Sequence, residues 1–239
     1  MGKKHKGKPC AYCFERLSET ADHIFARNFF LPSARANLPQ VPACSLCNAQ
    51  KSALEYYLTS VLPFGGRHKA ALPNLKNMVP KRLTKNVKLH RTLRDNWGRV
   101  WAKEGGVHLR FSTLPLDPTK LQQLFALIVR GLVCFHFGTY LRQEDEVQVL
   151  ALARAGETYF DKLFSLDVPA RVNDDLGHGT FCYEGAQDVD CPQITVWRFQ
   201  IYSGINFGDS QNPGEISRRL GALSGPLPMQ AENTGSSTA

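Results

Sequence analysis

Two cysteine pairs with the same internal spacing enclose a group of side chains that could carry out chemistry. The first pair is Cys10 and Cys13, and the second pair, Cys44 and Cys47, follows after 30 residues. Each Cys-x2-Cys pair can present two thiolates from one tight turn, and two pairs at this separation have the spacing of a tetrahedral zinc site. We therefore predict that zinc joins the two ends of this segment.

The doublet Asp22-His23 lies between the two pairs, and Asn48 and Lys51 follow directly after the last cysteine. A histidine can accept a proton near neutral pH. A carboxylate and an amide supply the oxygen ligands that a hard cation such as Mg2+ prefers. If the doublet lies on a strand, Asp22 and His23 point to opposite faces and contact different partners. These residue types suit metal-assisted hydrolysis.

The whole pattern resembles the HNH endonuclease family, the ββα-metal nucleases, in the form that carries a structural zinc. The pattern consists of the first cysteine pair, Asp22-His23-Ile24, Asn37, and the second cysteine pair with Asn48 and Lys51. His23 precedes Asn37 by 14 positions, and Asn37 precedes Asn48 by 11. Asn48 stands where many family members carry histidine, although asparagine also occurs there in the family. The pattern covers about a fifth of the chain.

The resemblance implies a metal-dependent endonuclease that hydrolyses phosphodiester bonds, with DNA as the expected substrate and RNA still open. His23 would be the general base, and Asp22 and Asn48 would hold one catalytic Mg2+ or Mn2+. Asn37 would hold the loop that presents His23. The four cysteines would bind the structural zinc. The alternative is a zinc-stapled module that binds nucleic acid without catalysis.

The charge of the chain is unevenly distributed. Residues 1–100 contain 18 Lys or Arg and 5 Asp or Glu, whereas residues 101–239 contain 11 and 16. Lys and Arg side chains that bind the phosphates of a nucleic acid release condensed counterions, and this release favours binding. We therefore expect the N-terminal part to form the nucleic-acid-binding surface. Residues 1–9 form a basic arm that could contact backbone phosphates.

A second basic block follows the cysteine segment. An amphipathic helix is predicted from about Pro80 to Asn96, and only Asp95 opposes its positive charges. Together with Lys51, the polar face of this helix supplies the predicted nucleic-acid contacts. These contacts are Lys51, Arg82, Lys85, Lys88 and Arg91.

The predicted elements indicate an α+β chain, with a small zinc-stapled ββα-metal domain followed by a larger α+β accessory domain. We predict an HNH domain at 1–62, a basic helical extension at 63–100, an accessory domain at 101–210 and a disordered tail at 211–239. Within the first domain, a helix is expected from about Ser45 to Val61 with Asn48, Lys51 and Glu55 on its polar side.

The accessory domain combines one apolar helix with strands. A strand is expected over Val107–Leu114, and Asp117-Pro118 predicts the start of a helix that continues to about Leu141. This helix is apolar on nearly every side, and its apolar run is too short to span a bilayer, so we expect it to be buried. The stretches Gly179–Tyr183 and Ile194–Phe207 predict a β-hairpin or a small antiparallel sheet.

The sequence also limits the cellular context. Seven cysteines are an odd number, four of them are assigned to zinc, and no apolar signal segment precedes them. We therefore expect a reducing, cytoplasmic environment without a disulfide framework and without a membrane anchor. The accessory domain is expected to provide a homodimer interface or to bind a protein partner.

Overall fold

A computed structural model of the chain describes residues 5–66, 68–69, 71–104, 107–166, 170–208 and 216–226. Its first elements follow the order strand, strand, helix. These are β1 (Thr20–His23), β2 (Gln40–Ala43) and α1 (Ser45–Val61). β1 and β2 pair in antiparallel fashion, and the bounds of α1 agree with the prediction. Residues 1–4 of the predicted basic arm lie outside the described residues.

Three short helices follow α1, and the last two lie where the sequence predicted one longer helix from Pro80 to Asn96. They are α2 (Ala71–Asn77), α3 (Val79–Lys85) and α4 (Val87–Asp95). The prediction of a continuous helix was wrong because Asn86 leaves the helical conformation, with φ −128° and ψ 77°. Its side-chain oxygen accepts a hydrogen bond from the Leu89 amide at 3.0 Å, which caps α4. Asparagine favours such capping positions over helix interiors.

An antiparallel ribbon connects α4 to the longest helix. Its strands are β3 (Gly98–Glu104) and β4 (Val107–Thr113), and the second agrees with the predicted strand. The helix α5 then spans Pro118–Phe137. The Asp117 side chain caps it by accepting from the Lys120 amide at 3.1 Å, as the Asp-Pro start predicted. The helix ends at Gly138, whose φ of 68° is left-handed, so it stops short of the predicted Leu141.

Eight residues of α5 are buried, which confirms the prediction of a buried helix. The expectation that its apolar run is too short for a bilayer was wrong. Among the described residues, Pro118–Phe137 is the one helix whose length and composition would be sufficient to cross a membrane. Core helices of many proteins share these properties, and α5 packs against α1, β5 and β11.

The C-terminal half forms a five-stranded antiparallel sheet with one helix. The elements are β5 (Asp145–Ala151), α6 (Arg154–Ser165), β6 (Ala170–Leu176), β7 (Phe181–Gln187), β8 (Thr195–Ile201) and β11 (Leu220–Pro226). Two-residue strands β9 (Phe207–Gly208) and β10 (Ile216–Ser217) pair with each other. The order in the large sheet is β5-β11-β8-β7-β6, so the predicted hairpin is its β7–β8 part.

The prediction of a disordered tail over 211–239 was wrong for Leu220–Pro226. This segment is β11, which lies between β5 and β8 and hydrogen-bonds to both. The small residues of this segment do not give a recognisable strand pattern in the sequence. Gly221 is small for a structural reason, because the close approach of Phe160 leaves no space for a side chain there. The prediction was also wrong for Ile216–Ser217, which form β10. Residues 211–215 and 227–239 of the predicted tail lie outside the described residues.

One cluster of buried residues connects the N-terminal ββα unit with α5 and the large sheet. Phe25, just after β1, packs on Phe181 of β7 with ring centroids 4.4 Å apart. Phe125 of α5 packs on Phe199 of β8 at 5.2 Å. Residues 1–62 and residues 101–210, which were predicted to form separate domains, therefore share one hydrophobic core. The chain is α+β, as predicted.

Candidate metal centre and active site

The four predicted zinc ligands come together at the start of α1. Their sulfur atoms all lie within 4.8 Å of one another. The first pair is held by a tight turn in which Cys10 donates its amide to Arg16 O at 2.8 Å. The second pair lies at the helix start, where the Cys44 amide donates to the Cys10 sulfur at 3.3 Å. This cluster could hold a metal ion such as zinc.

The thiols differ in how readily they lose a proton. Burial opposes ionisation of Cys44, but hydrogen bonds from the Cys47 backbone and from neighbouring thiols lower the pKa of Cys44 to about 7. Burial raises the pKa of Cys10 and of Cys47. Because a metal binds thiolates and releases their protons, occupation of the cluster would depend on pH.

Asp22 and His23 lie on β1 and make different contacts, as the strand alternation predicted. The Tyr12 hydroxyl donates to Asp22 Oδ2 at 2.6 Å, and the Lys51 ammonium lies 2.9 Å from the same oxygen. His23 Nε2 lies 3.0 Å from the amide nitrogen of Gln40, its partner on β2. An amide nitrogen can only donate, so Nε2 is the acceptor in this contact.

The surroundings of His23 favour the uncharged form of its ring. Burial, with a smaller contribution from the positive charge of Arg27, lowers the pKa of His23 below its ordinary value. Asn37 lies on the loop that leads to β2 and has a left-handed φ of 58°. Asparagine tolerates this conformation better than most residues. Two residues later, Pro39 O accepts from the Ile24 amide at 3.0 Å, which ties the loop to the end of β1.

Asn48 lies in the first turn of α1 and faces β1. Its side-chain nitrogen donates to Thr20 Oγ1 at 3.3 Å, and Thr20 is on the same face of β1 as Asp22. Among the described residues, neither Oδ1 of Asp22 nor Oδ1 of Asn48 makes a hydrogen bond. Both are oxygen atoms of the kind that hard divalent cations prefer as ligands.

Lys51 is not a surface residue, and its prediction as a phosphate contact was wrong. Its side chain is 1 % exposed. The ammonium donates to His23 O at 2.7 Å, lies 2.9 Å from Asp22 Oδ2 and also donates to the Glu55 carboxylate. These three acceptors match the three N–H donors of the lysine. The polar side of α1 therefore packs against β1, while Leu46 is 46 % exposed.

Arg82 is also a structural residue, so its predicted nucleic-acid contact was wrong. The residue is 8 % exposed, and its guanidinium donates to Thr59 O and to Asn28 O. Lys85, Lys88 and Arg91 are exposed, and their contact with nucleic acid stays a prediction.

Sequence reasoning missed Tyr12 and Gln40 as part of the site. Tyr12 lies inside the first cysteine pair and is 3 % exposed. Burial and the neighbouring Asp22 carboxylate raise the pKa of Tyr12 well above its ordinary range, so its hydroxyl stays protonated and can donate. Gln40 reaches His23 only through the register of β1 and β2, which the sequence alone did not define.

Comparisons with known proteins give no match. No protein-family model, no curated protein and no solved structure matches the chain. The site therefore has to be interpreted from its own geometry and chemistry.

Proposed function

We propose that the chain is a metal-dependent HNH endonuclease that hydrolyses phosphodiester bonds in DNA. One observation supports this function above all: the order β1, β2, α1 gathers Asp22, His23 and Asn48 next to a cluster of four cysteines. A proton acceptor and two oxygen atoms that could bind a cation thus lie in one ββα unit, on adjacent residues of β1 and in the first turn of α1. The excess of basic residues in the first 100 positions suits a polyanionic substrate.

His23 acts as the general base in this proposal. Burial lowers the pKa of His23 and so favours the neutral imidazole, the form that can take a proton from the attacking water. The accepting atom in this proposal is Nε2, the ring nitrogen in contact with the Gln40 amide. Gln40 is exposed and holds Nε2 in the absence of substrate, and its amide must release this atom to the water.

Asp22 Oδ1 and Asn48 Oδ1 would hold the catalytic Mg2+ or Mn2+. A divalent cation there would neutralise charge on the phosphate and on the leaving oxygen. Lys51 and Tyr12 fix the other oxygen of Asp22, so that Oδ1 is presented in one orientation. The hydrogen bond from Lys51 to His23 O also anchors the backbone of the proposed base.

The four-cysteine cluster has a structural role in this proposal. Four thiolates complete the tetrahedral coordination of Zn2+ and leave no position open for water or substrate. The cluster joins the turn that contains Cys10 and Cys13 to the N-terminus of α1. Zinc would therefore hold Asn48, which directly follows Cys47, in place relative to β1.

A non-catalytic zinc module that binds nucleic acid is the second candidate. The contact between Asp22 and Lys51 favours it, because an ammonium already neutralises the carboxylate that would bind the cation. In this case the Asp22–Lys51–Glu55 cluster would serve only to dock α1 on β1.

Cleavage of supercoiled plasmid separates the two candidates. The chain, His23→Ala and the exposed control His90→Ala are assayed with Mg2+, with Mn2+ and without added divalent cation, at equal measured zinc content. We expect metal-dependent nicking or linearisation by the chain and the control, and a loss of at least about 100-fold in His23→Ala. Equal cleavage by His23→Ala, or binding without cleavage in every protein, would refute the proposed endonuclease.

A further inference from the structure

The ribbon formed by β3 and β4 has two different faces. Residues paired across an antiparallel ribbon have their side chains on the same face. Trp101 is paired with Arg110, and Arg99 with Ser112, so these four residues share one face. His108 lies two positions before Arg110 and belongs to the same face. Val100 and Val107 lie on the opposite, apolar face.

The polar face is open to solvent and basic. All five of its described residues are exposed, and Trp101 is 66 % exposed. These five residues include two arginines and a histidine but no acidic side chain. An exposed tryptophan between arginines is unusual for a surface that only meets water, and it is typical of a binding surface.

The base of the ribbon is firmly attached to the core. Trp97, just before β3, packs edge-on against Phe64 with ring centroids 5.9 Å apart. Leu114 and Leu116, just after β4, pack on a small cluster of buried residues from α1, α3 and α4. Helix α4 ends directly before the ribbon and carries the exposed Lys88 and Arg91. The ribbon thus extends a basic surface that begins on α4.

We propose that the face of the ribbon containing Arg99, Trp101 and Arg110 binds duplex DNA in the major groove. A two-stranded ribbon has strands about 4.8 Å apart, and the major groove of B-form DNA, about 12 Å wide, admits such a ribbon with its side chains. Seven residues per strand span about 23 Å, which is most of one helical turn. The deep, narrow major groove of duplex RNA does not admit it.

The arginines would contact phosphates or base edges, and Trp101 would pack against the groove wall. This inference adds a DNA-binding surface to the proposed endonuclease, but it concerns binding alone. Failure of the ribbon would leave the chemistry at His23 intact, and failure of catalysis would leave binding by the ribbon intact.

Binding is measured by fluorescence anisotropy with a labelled 20-bp duplex over a range of NaCl concentrations. The zinc-loaded His23→Ala chain of residues 1–239 serves as the parent, so that cleavage does not interfere. The test variant adds Arg99→Ala and Arg110→Ala. The control instead adds Arg154→Ala and Lys162→Ala, two exposed residues of α6, and removes the same charge. A third variant adds Trp101→Ala.

We expect the double ribbon variant to weaken binding about 10-fold near 0.1 M salt and to lower the salt slope by about two, because each phosphate contact contributes about 0.9. Trp101→Ala should weaken binding several-fold without changing the slope, since it removes no charge. The control should match the parent. Unchanged melting temperatures in all variants would show that folding is intact.

Three results would overturn the proposal. The first is equal affinity and slope for the ribbon variant and the α6 control. The second is stronger competition by duplex RNA or single-stranded DNA than by duplex DNA of the same sequence. The third is a change from dimer to monomer in light scattering of Trp101→Ala, which would make this face a self-association interface.

Discussion

Lys51 is the residue whose replacement would test the buried charge cluster most directly. Lys51→Met keeps an unbranched side chain of similar length, so the apolar part of the space stays filled. The change removes the ammonium that contacts Asp22, Glu55 and the carbonyl of His23. Two carboxylates, 14 % and 18 % exposed, then lack their counter-ion.

The structure sets the size of the expected effect. Removing one partner of a buried ion pair costs about 3–5 kcal/mol, because the remaining charge stays desolvated. Both partners of Lys51 are less than one fifth exposed, so solvent screening reduces this figure little. For a chain of this size the corresponding decrease in Tm is on the order of 10 °C. Cleavage should also fall, because His23 loses its backbone anchor.

The assay is urea unfolding of the zinc-saturated protein followed by circular dichroism. Lys162→Met, on the exposed surface of α6, is the matched control and should change the free energy of unfolding by less than about 0.5 kcal/mol. In the double variant Lys51→Met/Glu55→Gln, one of the two uncompensated carboxylates becomes neutral, so the loss should be smaller than the sum of the single losses. A loss below about 1 kcal/mol for Lys51→Met would refute the role assigned to the cluster.

Two further predictions concern the metal centre and the large sheet. Cys44→Ser removes one of the proposed zinc ligands, and Cys10, Cys44 and Cys47 belong to the shared core. We therefore expect loss of bound zinc and a decrease in the Tm of the whole chain on the order of 10 °C. A zinc content and a melting curve equal to those of the parent would contradict this prediction. Ending the chain after Arg219 removes β11 and leaves β5 and β8 without their shared partner, so this variant should lose cooperative unfolding. The control chain ends after Pro226, keeps β11 and should unfold like the parent. Cooperative unfolding of the shorter chain would show that β11 is dispensable.

The sequence determined the parts of this protein that depend on local chemistry. The four cysteines cluster as predicted because each pair is held by its own turn and the second pair caps α1. Asp117-Pro118 starts α5 because the aspartate caps the helix and proline fits its first position. The alternation of Asp22 and His23 followed from strand geometry alone.

Only the tertiary structure decided what the charged residues contact. In the sequence, Lys51 and Arg82 look like the exposed Lys85 and Arg91, since all four are basic residues of helices. Lys51 is buried because β1, 28 residues away, brings a carboxylate and a carbonyl to it.

The same limit applies to the C-terminal sheet. The short, glycine-containing segment Leu220–Pro226 has no strong strand pattern of its own, and it becomes a strand because β5 and β8 pair with its two edges. Local propensity defines caps, turns and metal knuckles, whereas burial of a charge or insertion of a strand depends on partners that are distant in the sequence.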